Sequence, residues 1–170
     1  MSETVMGPAG GERSDAEIFR SLYPALHRFA AAVRAPGSDA DDLVQEALAR
    51  TLATRPLGSI DEPLAYLRTA VMRVAINAAR SSRRETQRIA RAGAFTGDAV
   101  DAYPSDLDAL RALPPMTRAI LYLTVLEGRS YREAAAIVGC NEAAARQAAA
   151  RGLARLRNEL TDERTIGERT

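Results

Sequence analysis

The sequence of 170 residues contains no tryptophan and no lysine, and it has one cysteine, Cys140, and one histidine, His27. A single cysteine cannot close a disulfide within the chain. One cysteine with one histidine also cannot supply the ligands of a zinc site or a thiol–imidazole catalytic pair. No phosphate-binding loop or other catalytic pattern is present. We therefore predict a cytoplasmic protein that is not an enzyme and that uses no metal or other cofactor.

Long apolar runs are absent as well. No stretch approaches the roughly 18 apolar residues of a membrane span, and residues 1–13 lack the apolar centre of a signal peptide. We expect no membrane association and a disordered tail over residues 1–13. About one residue in five is alanine, whereas β-branched and aromatic residues are few. This composition favours helices over strands, so we predict an all-α fold.

Apolar residues recur at spacings of three and four along three segments of the first half, which predicts three helices. The first contains Pro24, where we expect the helix to kink or restart. Ser38 and Asp41 resemble a capping box at the start of the second helix. The third begins near residue 61 and reaches residue 92.

Helical periodicity is lost over residues 93–104, where glycine and aspartate occur, and this predicts a flexible linker. The chain is then divided into two small helical domains, residues 14–92 and residues 105–160. A charged tail over residues 161–170 is expected to fray.

The second domain has the pattern of a helix-turn-helix. A helix over residues 116–127 ends before Gly128, a short helix capped by Ser130 and Glu133 stops at Gly139, and Asn141 caps a longer final helix. The apolar residues of that final helix predicted to face the core are Ala145, Ala149, Leu153, Leu156 and Leu160.

Arginine is concentrated on the third helix. The chain has a formal net charge of only +1, so any binding to nucleic acid has to be local. Between Tyr66 and Arg91 there are seven arginines and one glutamate. At 100° per residue one face of this helix carries Arg73, Asn77, Arg80, Arg84 and Arg91. This face indicates DNA binding; the alternative is an ordinary solvated helix face.

The final helix has an exposed face suited to a DNA groove. Its predicted members are Ala143, Ala144, Gln147 and Arg151, with Arg146 on the flank. Glutamine can pair with adenine, arginine with guanine or phosphate, and alanine can contact the thymine methyl. The alternative is an alanine-rich surface helix with no partner.

Carboxylates cluster where the second helix begins, at Asp39, Asp41, Asp42 and Glu46. This cluster is a candidate binding surface. Its alternative role is local, because carboxylates in a first turn stabilise a helix by about 0.3 to 1 kcal/mol each.

The order of these features resembles the extracytoplasmic-function sigma factors of the sigma-70 family, over residues 18–160. DDLVQEAL (41–48) resembles the polymerase-binding helix of the family, and PLAYLRTAVMRVAINAARSSRRE (63–85) resembles its −10 promoter-reading helix. LPPMTRAILYLTVLEGRSYREAAAIVG (113–139) resembles the first part of its −35 domain.

The resemblance implies two partners, core RNA polymerase and promoter DNA, the latter as a duplex at the −35 element and as a single strand at the −10 element. An anti-sigma factor is a further candidate partner. The residues that match the polymerase contact are Asp41, Asp42, Leu43, Gln45 and Glu46. Those that match the −10 contact are Arg73, Asn77, Arg80 and Arg84. Those expected at the −35 element are Ala143, Ala144, Arg146, Gln147 and Arg151.

Two departures from the family pattern stand out. Residues 143–148 read AAARQA where the family often has Gly-Thr-Val-Lys-Ser-Arg, so Ala148 replaces an arginine that contacts DNA. The frequent tryptophan of the promoter-melting helix is replaced by Tyr66. We therefore expect strand capture to depend more on the loop from Arg55 to Glu62.

Two other classes of protein remain open. One is a helix-turn-helix transcription regulator that binds a palindromic duplex as a dimer without replacing a polymerase subunit. The other is a helical adaptor or anti-sigma-like interaction protein, for which the arginine face would be incidental.

Overall fold

A computed structural model describes residues 13–91 and 106–167; of the side chains, those of Glu85, Ile89, Ala90 and residues 106–108 and 160–167 are excluded. The described ranges contain helices and no strand, which confirms the all-α prediction. The helices are α1 (Asp15–Val33), α2 (Ala40–Leu52), α3 (Pro63–Arg91), α4 (Asp106–Ala112), α5 (Pro115–Leu121), α6 (Tyr131–Val138) and α7 (Glu142–Gly167). The predicted linker and the predicted N-terminal tail up to residue 12 lie outside the described residues.

Helix α1 is continuous through Pro24, so it does not restart there. A capping box starts the helix: the Ser14 hydroxyl accepts a hydrogen bond from the Glu17 N–H, and the Ser14 N–H donates to the Glu17 carboxylate. Proline removes one backbone hydrogen bond. Leu26 and Phe29, directly after the proline, are fully buried, and this burial offsets the lost bond.

Helix α2 is capped by Asp39 and not by Ser38. The Asp39 carboxylate accepts hydrogen bonds from the N–H groups of Asp41, at 2.7 Å, and of Asp42, at 3.4 Å. The Ser38 hydroxyl instead donates to the carbonyl of Ala35. The predicted cap was one residue early because serine and aspartate are both good caps and stand side by side.

Helices α1, α2 and α3 pack against one another around a shared apolar core. The main side chains of this core are Leu26, Phe29, Val33, Leu43, Val44, Leu57, Leu67, Val71 and Met72. Leu57 comes from a 3₁₀ turn (Leu57–Ser59) that precedes α3. The Asp15 carboxylate holds this turn by accepting from the Leu57 N–H at 2.8 Å.

Helices α6 and α7 form the predicted helix-turn-helix. Ser130 and Glu133 make the expected capping box, and their hydrogen bonds lower the pKa of the Glu133 carboxyl. Gly139 ends α6 with a φ of 81°, a conformation that favours glycine. Asn141 then caps α7 by accepting from the Ala144 N–H at 2.7 Å.

The segment 116–127, predicted as one α-helix, is partly α-helical and partly π-helical. It is α-helical only from Pro115 to Leu121, and a π-helical segment (Tyr122–Leu126) follows it. The Glu127 N–H bonds to the carbonyl of Tyr122, five residues back, and this bond widens the last turn before the chain reverses at Gly128.

Helix α7 packs closely on α5 because of Gly152. A Cβ atom at that position would lie 2.6 Å from the Cγ2 atom of Thr117, which is itself buried. Ala145 and Ala149 are buried as predicted, but Leu153 is 41% exposed and does not face the core. The helix also continues to Gly167, beyond the end expected at residue 160.

The two helical units are in contact. Helix α5 packs on α1 and α3, and α6 packs on α3. Phe29 of α1 meets Tyr122 edge to face, with ring centroids 5.7 Å apart. One continuous set of apolar contacts therefore runs through both units.

Candidate nucleic-acid interface

The predicted arginine face of α3 lies on the surface. Arg73, Asn77, Arg80 and Arg84 are exposed, on the opposite side of the helix from buried Val71. At a rise of 1.5 Å per residue, the distance along the axis from Arg73 to Arg84 is about 16 Å. This face is long enough to follow several nucleotides of a strand.

One of the seven arginines of this segment is buried. Arg68 is only 2% exposed, and its guanidinium pairs with the carboxylate of Glu127. The helical wheel indicates that Arg68 lies on the apolar side, but counting charges along the sequence does not separate it from the exposed arginines.

The guanidiniums of Arg73, Arg80 and Arg84 have no hydrogen-bond or ion-pair partner among the described residues. Water solvates them, and they remain free to pair with phosphate. Because exposed ion pairs contribute little to stability, leaving these arginines without carboxylates costs the fold little.

An aromatic ring lies near the start of α3. Tyr66 is 36% exposed, and the guanidinium carbon of Arg55 lies 5.7 Å from the centroid of its ring. The two side chains border a groove of about 390 Å³, whose other residues come from the segment 59–62, from α3 and from α6. An exposed ring beside a cation is a suitable surface for stacking an unpaired base.

The exposed face of α7 has the predicted composition. Ala143, Gln147 and Arg151 are exposed, and Ala144 is half-buried. Arg146 is also exposed, but it is held in place. Its Nε atom donates to Glu142 at 3.1 Å, and its guanidinium lies 4.9 Å from the centroid of the Tyr131 ring.

Ala148 is only 7% exposed and faces the core. An arginine at this position would have to displace neighbours before it reached solvent. The sequence departure at Ala148 therefore coincides with a packed position of α7. The signal was available, because positions 145, 148, 149 and 152 recur at helical spacing.

The predicted polymerase-contact residues divide between surface and core. Asp42, Gln45 and Glu46 are exposed, whereas Leu43 is 4% exposed and packs inside. The half-buried Asp41 carboxylate accepts a hydrogen bond from the hydroxyl of Tyr23, and this bond raises the pKa of that tyrosine.

The remaining chemistry-bearing residues add no catalytic arrangement. Burial raises the pKa of the Cys140 thiol, which disfavours its reactive form. Within the described ranges, no cluster of histidine, cysteine and carboxylate side chains could hold a metal ion. No described helix is long and apolar enough to cross a membrane.

A three-helix unit with an arginine face, followed by a helix-turn-helix, defines a DNA-binding transcription protein. Two family models match the chain: Sigma-70 region 2 over residues 18–85, and Sigma-70, region 4 over residues 107–156. Together they cover more than half of its length. The chain therefore belongs to the sigma-70 family, and it is a sigma factor of the extracytoplasmic-function type.

A solved structure agrees with this assignment. The chain is similar to the sigma factor RpoE from Bartonella quintana, crystallised in complex with the anti-sigma factor NepR, at 27% sequence identity and a TM-score of 0.64. The match covers 86% of this chain and 96% of that one. No curated protein matches the sequence. The family consists of transcription initiation factors and not enzymes, as predicted.

Proposed function

We propose that this sigma factor binds core RNA polymerase, recognises the −35 and −10 elements of promoters and promotes DNA melting. Residues 14–92 form the domain for polymerase and the −10 element, and residues 105–160 form the domain for the −35 element. The observation that carries the proposal is that one chain combines two surfaces: the α3 face, whose Arg73, Arg80 and Arg84 have no partner among the described residues, and the exposed face of α7.

The docking surface for polymerase is the start of α2. Asp42, Gln45 and Glu46 present two carboxylates and an amide on the exposed side, and Tyr23 fixes the orientation of Asp41. The side chain of Leu43 supports this surface from inside, because it packs in the core. A partner surface rich in arginine or lysine is complementary to such a site.

The −10 element is captured as a single strand along α3. Arg73, Arg80 and Arg84 pair with phosphates, and Asn77 supplies hydrogen bonds on the same face. Tyr66 offers a ring on which an unpaired base can stack, so melting is favoured because the open strand gains contacts that the duplex lacks.

The −35 element is read as a duplex by α7. Gln147 lies at the centre of the exposed face and can pair with adenine, whereas Arg151 lies one turn further on, where phosphate or guanine is in reach. Ala143 and Ala144 contact thymine methyls. Arg146 is preoriented by Glu142 and Tyr131.

An anti-sigma factor is proposed as a further partner, because the similar RpoE chain was crystallised with one. A protein that works on polymerase and promoters acts where the chromosome is, so we place it in the cytoplasm.

The test is co-purification with core polymerase, followed by mapping of transcript start sites. We expect the double variant Asp42→Arg, Glu46→Arg to lose association with core while its helical circular dichroism stays unchanged. Glu159→Arg, which reverses a carboxylate on α7, is the control. If the double variant associates with core as strongly as the parent does, α2 is not part of the docking surface. If the protein is instead a free dimer that binds palindromic duplex DNA and never joins polymerase, the proposed function is wrong and the protein acts as a helix-turn-helix regulator.

A further inference from the structure

A small cavity that contains three arginines is lined by residues of α1, of the segment after it, and of α4 and α5. Its volume is about 290 Å³, and its charged lining residues are Arg34, Arg111 and Arg118. The other lining residues are Ala31, Ala32, Ala35, Pro36 and Leu110. Among the described residues, the lining therefore combines three positive charges with no acidic side chain.

Arg118 is the most buried of the three arginines. It is 4% exposed, and an arginine is rarely buried to this extent unless it is paired. Its Nη2 atom donates to the carbonyl oxygens of Val33, at 2.9 Å, and of Arg34, at 2.7 Å, at the end of α1. Its Nη1 atom donates to the carbonyl of Arg111 at 3.0 Å. All three acceptors are neutral carbonyls, which have partial charges and do not neutralise a guanidinium.

The charge of Arg118 is not balanced within the described part of the chain. Its Nε atom is buried and has no hydrogen-bond partner there, and no carboxylate of that part forms an ion pair with it. Burial, followed by the nearby charges of Arg34 and Arg111, lowers the pKa of Arg118. A buried charge is costly unless an opposite charge or a full set of hydrogen bonds compensates it. An anion in the cavity would supply the missing charge.

Arg34 and Arg111 are more accessible than Arg118. Arg34 is half-buried, and Arg111 is exposed. The Nη1 atom of Arg34 donates to the carbonyl of Ser38 at 2.8 Å, and this bond holds the side chain beside the turn after α1. A guanidinium has five N–H donors in a rigid plane, so the bond to Ser38 leaves the Nε and Nη2 atoms of Arg34 for a ligand. One arginine of the cavity is therefore positioned before a ligand binds.

The size and the apolar walls of the cavity favour a compact ligand. The alanine and proline residues at positions 31, 32, 35 and 36 have no polar side-chain group. Cavities that bind drug-sized ligands have volumes of about 300 to 1,000 Å³, and this cavity, at about 290 Å³, lies just below that range. A phosphate group fits this space, whereas the rest of a nucleotide would extend into solvent.

Phosphate matches three guanidiniums better than a carboxylate does. Arginine pairs with both anions through parallel N–H···O bonds. The two oxygens of a carboxylate lie in one plane, whereas those of a phosphate point to the corners of a tetrahedron and can accept from side chains on different helices. A terminal phosphate also has a charge of about −1.5 to −2 at pH 7. The phosphodiester of DNA has a single charge and a sugar on either side, so it fits a small cavity less well.

We propose that Arg34, Arg111 and Arg118 form a binding site for a small anion with a terminal phosphate group, separate from the faces of α3 and α7. The phosphate oxygens accept hydrogen bonds from Arg34 and Arg111, and the negative charge offsets that of the buried Arg118. Inorganic phosphate and the terminal phosphate of a nucleotide offer the same chemistry. The site requires neither polymerase nor promoter DNA, so it does not depend on the proposed function.

The test is isothermal titration calorimetry of the full chain with inorganic phosphate, pyrophosphate and adenosine diphosphate, in a buffer without phosphate or sulfate. We expect saturable binding at one site. Arg34→Gln and Arg111→Gln should each weaken binding on the order of tenfold, because each removes a charge-assisted hydrogen bond. Tighter binding of adenosine diphosphate than of phosphate would identify a nucleotide as the source of the phosphate group, and equal or weaker binding would identify free phosphate.

The matched control is Arg20→Gln, which removes an exposed arginine of α1 outside the cavity and should leave the affinity unchanged. Circular dichroism of each variant checks that it is folded. If none of the three anions binds saturably at millimolar concentration, the proposal is overturned. It is also overturned if Arg20→Gln loses as much affinity as Arg34→Gln, because binding would then follow net charge. Binding of a short DNA duplex that Arg34→Gln abolishes, without binding of the small anions, would assign the cavity to the DNA backbone instead.

Discussion

The two proposed DNA-binding faces differ in how their arginines are held. On α3, Arg80 and Arg84 have no ion-pair partner among the described residues. On α7, Arg146 is bound by Glu142 and lies against the ring of Tyr131. A free guanidinium contributes a mobile charge, whereas a bound one contributes a fixed geometry. This difference suits the arginines of α3 to phosphates, which are the same in every sequence, and Arg146 of α7 to base edges, which are not. Arg151 of α7 has no partner among the described residues and is like the arginines of α3 in this respect.

The largest expected effect comes from removing the free charges. Arg80→Ala with Arg84→Ala should weaken promoter binding by the polymerase complex and lower the slope of log affinity against log salt by about one for each phosphate that is no longer neutralised. Filter binding over a salt series measures both quantities. Arg20→Ala, an exposed arginine on α1, is the control. An unchanged slope would make the α3 face an ordinary solvated surface.

The second prediction concerns the buried side of α7. Ala148→Arg should destabilise the protein by about 1 to 3 kcal/mol, the usual cost of overfilling a packed site. Ala150→Arg places the same side chain on the exposed side and should change stability by less than about 0.5 kcal/mol. Chemical denaturation followed by circular dichroism distinguishes the two. Equal stability of both variants would contradict the burial of Ala148.

The third prediction separates base reading from phosphate contact on α7. Gln147→Ala should relax the preference at one or two −35 positions, with a loss of about 1 to 3 kcal/mol of discrimination. Arg151→Ala should weaken all −35 sequences alike if it meets phosphate. Transcription from a randomised −35 library, with each variant bound to core polymerase, gives both profiles. A Gln147→Ala profile identical to the parent profile would exclude this residue from base reading.

The smallest effect is expected from Glu142→Ala, which frees Arg146 from its ion pair. An exposed pair of this kind contributes about 0.3 to 0.5 kcal/mol, so stability should hardly change. The released guanidinium should raise the salt slope of −35 duplex binding by up to about one. Glu159→Ala frees Arg155 in the same way, outside the proposed DNA face, and should leave the slope unchanged. If both variants behave alike, the fixed position of Arg146 has no role in reading DNA.

Local chemistry predicted from the sequence was mostly confirmed. The capping box at Ser130 and Glu133 and the cap at Asn141 follow from side chains within three residues of the backbone groups they bind. The exposed positions of Arg73, Gln147 and their neighbours follow from helical periodicity. Such features depend on short stretches of chain, which a sequence displays directly.

Features that depend on distant residues were not predicted. Arg68 was counted in the local charge of α3, and its burial was not predicted because its partner, Glu127, is 59 positions away. A kink or restart at Pro24 was expected because proline acts locally on a helix. In the structure, the packing of α1 on α2, α3 and α5 outweighs the tendency of proline to end the helix. Nothing in the sequence around Arg118 indicates that its guanidinium binds the end of α1.

Arg118 and the carbonyl groups that it binds are far apart in the sequence, so this contact forms late during synthesis of the chain. The carbonyl oxygens of Val33 and Arg34 leave the ribosome some 85 residues before the guanidinium that binds them. Contacts among α1, α2 and α3 can therefore form while α5 is still untranslated, and at typical rates of 5 to 20 residues per second this interval is on the order of several seconds. Throughout this interval the last carbonyl groups of α1 lack the guanidinium that binds them in the folded chain, so the end of α1 is completed only after α5 has been made.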